Sequence, residues 1–100
     1  AMTTQAQAQL QAARNHAEKV CVEADNSERE ARRLEALHKK NLASREAMEL
    51  GRTRAQGGRF ACQAARDEEK VAAANLEMNQ ALLELKNRKI RGAKVLVIPG

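Results

Sequence analysis

At 100 residues the chain holds one small domain at most, and it carries 18 Lys and Arg against 13 Asp and Glu, a formal net charge of +5. Phe60 is its one aromatic residue and 20 of its apolar residues are alanine, so an elongated coiled coil fits this composition better than a compact globule. No run of about 18 apolar residues occurs, which excludes a membrane-spanning helix; the longest strongly apolar stretch is Val95-Leu96-Val97-Ile98. The cations are interspersed with Glu instead of forming a stripe, and stacking aromatics are absent, which argues against a nucleic-acid binder.

The first segment carries the cleanest pattern. Ala6, Leu10, Ala13, Ala17, Val20, Ala24, Ser27, Ala31 and Leu34 follow alternating spacings of four and three, a heptad seam held for more than four repeats. Gln, Arg, Lys, Glu and Asp fill the positions between, as on the wet face of a coiled coil. Leu37 and Leu42 fall outside the seam.

A break follows. Asn41 suits the left-handed position that ends a helix, and Ser44 suits the cap of the next one, with Glu46 near its positive end. Beyond Ser44 two apolar phases compete. One reads Met48, Gly51, Ala55, Gly58, Cys62, Ala65, Glu69, Ala72, Leu76, Asn79 and Leu83; the other reads Leu50, Gly57, Ala64, Val71, Met78 and Leu85. Both are partly apolar, so the second helix is expected to touch neighbours on two sides.

Two helices joined by so short a turn are antiparallel neighbours, and residues whose numbers sum to about 84 then face each other. The expected architecture is all-α: a long antiparallel two-helix coiled-coil hairpin over 1–88, with helix 1 over 4–40, a tip at 41–43 and helix 2 over 44–87. This register sets Gly57-Gly58 beside Asn26 and Ser27, where the pair serves as a kink, as a place where backbones approach closely, or as a flex point. It also sets Cys21 and Cys62 on facing stretches. Cys21 lies one residue off the seam through Val20, so a disulfide and two independent thiols both remain open.

Residues 89–100 are expected to leave the helix. Lys86-Asn87-Arg88-Lys89 places cations where a helix end is negative, and Ile90 to Gly100 reads as an extended tail with a final turn.

Catalytic and cofactor signals are weak. His16 and His38 stand roughly 33 Å apart on one helix and cannot share a metal. The cysteines lack Cys-x-x-Cys spacing, no Gly-rich phosphate loop is present, and Asp67, Glu68 and Glu69 lie on a helix surface. The expectation is a protein without enzymatic activity, cofactor or metal.

The stretch Arg33-Leu34-x-x-Leu37 followed by Lys40-Asn41-Leu42-Ala43-Ser44-Arg45-Glu46 resembles the hairpin tip of the periplasmic adaptor proteins, or membrane fusion proteins of the HlyD type. Asn75-Leu76-Glu77 and Leu83-x-Leu85-Lys86-x-x-Lys89-Ile90-Arg91 are similar to the return of that family's second helix toward a lipoyl-like domain. The likeness runs from about Leu10 to Arg91, beyond which Gly92-Ala93-Lys94 departs from the family's Ala-Pro and Asp-Gly. The resemblance implies that Arg33, Leu37 and Ser44 engage an outer-membrane channel of the TolC type. It further implies a periplasmic location within an inner-membrane-anchored protein, an inner-membrane transporter as second partner, and a homo-oligomeric ring, by resemblance a hexamer, whose hairpins line a conduit of a tripartite efflux or secretion system. A cytosolic coiled-coil scaffold is the alternative, and it would use the same heptads in long continuous helices.

Overall fold

The structure, a computed structural model, describes residues 2–97, with side-chain surroundings for 3–89. Helix α1 spans Met2–Lys39 and helix α2 spans Arg45–Val97. They fold back on each other into an extended antiparallel hairpin, and apart from the turn at 40–44 every described residue is helical.

The reason lies in the seam. Ala6, Ala17, Ala24 and Ala31 of α1 are buried against Met48, Ala55 and Ala65 of α2, and no large side chain is fully buried among the described residues. A methyl group is small, so the helices approach closely, but each buried alanine removes little apolar area from water. The remaining members of the α1 seam, Leu10, Ala13, Val20, Ser27 and Leu34, are half-buried.

Of the two phases in α2, the first faces α1. Met48, Gly51, Ala55 and Ala65 are buried, and Gly58, Cys62, Glu69, Ala72, Leu76 and Asn79 are half-buried. Leu83, the last of that series, is exposed. Glycine at two of these places permits the contact: a Cβ on Gly51 would stand 2.8 Å from Leu34 Cδ1, and one on Gly58 would stand 3.1 Å from the Ala24 Cα. Gly57 has nothing within 4 Å of such an atom. Gly58 is therefore a point of close approach, and α2 runs through both glycines as one helix.

A second column of α1 stitches the hairpin along one flank. Arg14, Cys21, Glu28 and Glu35 recur at intervals of seven, the repeat that keeps a position facing its partner in a coiled coil. Each is linked across: Arg14 to Glu69 at 3.4 Å, Glu28 to Arg59 at 3.4 Å, Glu35 to Arg52, and Cys21 to Cys62 through a disulfide whose Cα atoms lie 4.6 Å apart. The ion pairs join exposed arginines to half-buried glutamates at the surface and are individually worth about 1 kcal/mol or less. The disulfide closes a sequence separation of 41. On a chain-entropy account it contributes about 4 kcal/mol, which in an alanine-seamed hairpin is a large share of the total.

The expected extended tail is corrected for residues 89–97, where α2 continues to Val97. Ile90, Val95 and Val97 are poor helix formers, but the penalty is below about 1 kcal/mol each. A solitary strand would leave its backbone groups without a ladder partner, whereas the helix satisfies them internally. The part of that tail at 98–100 lies outside the described residues.

Candidate docking site at the hairpin tip

The turn between the helices is built by the end of α1. Asn41 takes a positive φ of 61°, the one such non-glycine residue among those described. Asparagine tolerates that conformation better than most side chains. Around it the Asn41 N–H donates to the His38 carbonyl at 2.9 Å and the Leu42 N–H donates to the Leu37 carbonyl at 2.8 Å. This pair of bonds is the Schellman arrangement, which closes the last carbonyls of a helix on the chain that follows. His38 adds a third tie, its Nδ1–H donating to the Ala43 carbonyl at 3.0 Å.

Helix α2 then starts on a side-chain cap. Ser44 Oγ accepts from the Ala47 N–H at 3.0 Å, and the Ser44 carbonyl accepts from the Met48 N–H at 3.1 Å. Glu46 is the acidic residue of the first turn, where the helix end is positive.

The three residues singled out in the sequence are thus placed as follows. Leu37 and Ser44 are parts of one turn, Leu37 half-buried and Ser44 exposed. Arg33 stands one helical turn before Leu37 and is exposed, but its guanidinium is engaged by Glu30: Nε donates to Oε2 at 3.0 Å and Nη2 to Oε1 at 2.6 Å. Those hydrogen bonds hold the Glu30 carboxyl below the usual carboxylate range and raise Arg33 further above its own.

No family model, curated protein or solved structure matches this chain.

Two features of the tip escape the residue pattern. Leu42 is 70% exposed at the apex, a fact that seam analysis states only negatively, by leaving it off the buried stripe. The His38 bond to Ala43 has no signal in the spacing at all. Behind the tip, Asn26, Ser27, Glu30, Leu34, Ala47, Leu50, Gly51 and Arg54 line an open groove on the flank away from the stitched column, with a volume of about 350 Å³.

The second phase of α2 lies open. Leu50, Val71, Met78 and Leu85 are each half or more exposed, and Gly57 and Ala64 are exposed between them. Leu50 and Arg52 are two residues apart, about 160° round the helix, so this stripe runs on the side opposite the stitched flank. Among the described residues no helix is long and apolar enough to cross a membrane, and no three His, Cys, Asp or Glu side chains cluster as metal ligands.

Proposed function

We propose that this hairpin is the docking arm of a periplasmic adaptor of the HlyD type, which joins an inner-membrane transporter to an outer-membrane channel of the TolC type. The observation that carries the reading is the coincidence of the Arg33, Leu37 and Ser44 pattern with the turn of a long, narrow hairpin. Leu37 supplies the carbonyl on which the turn closes, and Ser44 caps the returning helix. A rod with a rigid, chemically distinct end suits contact at the end of another helical body.

The arm performs no chemistry in this reading; it holds two membranes' components in line, as an arm of a ring of six. The stripe Leu50, Gly57, Ala64, Val71, Met78 and Leu85 supports side-by-side packing, because strict intervals of seven keep a helix face toward one neighbour along its whole length. A cytosolic scaffold made of continuous helices fits less well with a chain that reverses at Lys40 to Ser44.

The test is binding of the chain to a purified TolC-type duct, with Arg33→Ala and Leu37→Asp compared at retained helicity. Loss of binding in the variants supports docking by the tip. Unchanged binding in both would remove these two residues from the contact, and absence of binding by the wild type would overturn docking by the tip.

A further inference from the structure

We propose that Leu42 is the side chain that carries docking, and that it enters an apolar recess rimmed by carboxylates. The inference rests on the docking reading above and changes where its contact is made.

Each residue of the sequence pattern already has work inside the hairpin. Two of the five N–H donors of the Arg33 guanidinium, on Nε and Nη2, go to Glu30. Leu37 is half-buried and its carbonyl closes the turn, while the Ser44 hydroxyl accepts from the Ala47 N–H. Leu42 has no such task for its side chain. Only its backbone N–H is engaged, at 2.8 Å from the Leu37 oxygen.

In the Schellman arrangement, the residue after the left-handed position commonly folds its side chain back on the residue five before it. Here that pair is Leu42 and Leu37, and Leu42 nevertheless stays 70% exposed. The turn is closed by backbone bonds and by His38, so the leucine is left pointing at water from a fixed base. A rigid apolar knob loses little conformational freedom when a partner covers it, which is the condition for a strong contact.

The collar around the knob is cationic. Lys39, Lys40 and Arg45 lie within three residues of Leu42, are exposed, and face one nearby acid, Glu46, within 39–46. Arg45 is engaged by Glu49 at 3.2 Å and Lys39 lies near enough to Glu35 to help lower its pKa, so Lys40, beside Leu42 at the apex, contributes most of the positive field there. A second copy of the tip would bring like charges together, so the occupant is a different surface, with carboxylates around an apolar recess.

The experiment uses the whole 100-residue chain on a purified TolC-type duct, over a salt series, with Leu42→Asp, Leu42→Met, Arg33→Ala and Phe60→Asp. Phe60 is 68% exposed and lies away from the tip, so it controls for the loss of any surface apolar group. We expect Leu42→Asp to weaken binding by about tenfold or more, Leu42→Met to bind nearly as wild type, Arg33→Ala to lose less than Leu42→Asp, and Phe60→Asp to lose nothing. All four should keep wild-type helicity and melting temperature. Wild-type affinity should fall as salt rises. Wild-type binding by Leu42→Asp overturns this inference and leaves docking by the tip standing. Absence of binding by the wild type overturns both, and affinity independent of salt overturns the carboxylate rim.

Discussion

Gly58 lies against Ala24 across the hairpin, so closely that a Cβ on it would stand 3.1 Å from the Ala24 Cα and 3.4 Å from its Cβ. The neighbouring Gly57 meets nothing within 4 Å. Adjacent glycines in one helix are therefore there for different reasons, and substitution separates them. Gly57→Ala should stabilise the hairpin by about 0.5–1 kcal/mol, since alanine is the better helix former and the space is open. Gly58→Ala has the same propensity gain but must displace backbone that the nearby Cys21–Cys62 bridge restrains. Its gain should vanish or reverse, and Gly58→Val should be plainly destabilising. Chemical denaturation of the three variants measures this; equal effects of the two alanine substitutions would refute the close approach.

The disulfide should dominate stability. Reduction with a dithiol, or Cys21→Ser, should cost about 4 kcal/mol on the chain-entropy account, because the seam is mostly alanine and supplies little to replace it. Thermal melts followed by circular dichroism with and without reductant will show it. A Cys21→Ser, Cys62→Ser chain should be insensitive to reductant.

Loss of the cap should be a smaller, local effect. Ser44→Ala removes the acceptor for the Ala47 N–H and should cost about 1 kcal/mol, with Ser44→Asp close to wild type. Amide exchange confined to the first turn of α2 would register the difference.

Acid should weaken the hairpin gradually. Hydrogen bonds from Arg33, Arg52 and Arg66 lower the pKa of Glu30, Glu35 and Glu69 respectively, Glu69 also being bonded by Arg14. A carboxyl lowered on folding binds protons more readily in the unfolded chain. Its stabilisation is present above the ordinary value, about 4.3, and disappears as pH falls through the lower folded value. Glu30 is exposed and Glu35 and Glu69 are half-buried, so solvent screens these pairs and the melting temperature should fall only modestly between about pH 5 and pH 3. Replacing all three with Gln should flatten that dependence, and an unchanged slope would assign it to other groups.

Much of the fold is legible along the chain because helical periodicity is local. The α1 seam, Asn41 at the turn and Ser44 as a cap can be read from residue types and intervals, since each depends on neighbours within a turn or two. The end of α2 is less legible: Val95 and Val97 favour strands by type, but strand formation depends on a partner that local pattern cannot supply. The outward placement of Leu42 is likewise hidden, because the same Schellman sequence serves a leucine folded back or turned out.

What the sequence by itself determined is a pair of amphipathic helices, their reversal near Asn41 and their antiparallel register, since these follow from intervals of three, four and seven. Tertiary structure decided which phase of α2 meets α1, that the column Arg14, Cys21, Glu28 and Glu35 ties one flank, and that Leu50, Val71, Met78 and Leu85 remain open on the other. The physical reason is that both phases carry similar apolar content, so hydrophobicity does not choose between them. Close approach does: the phase with Gly51 and Gly58 lets the α2 backbone come against Leu34 and Ala24, and the contacts across that narrow gap orient everything else.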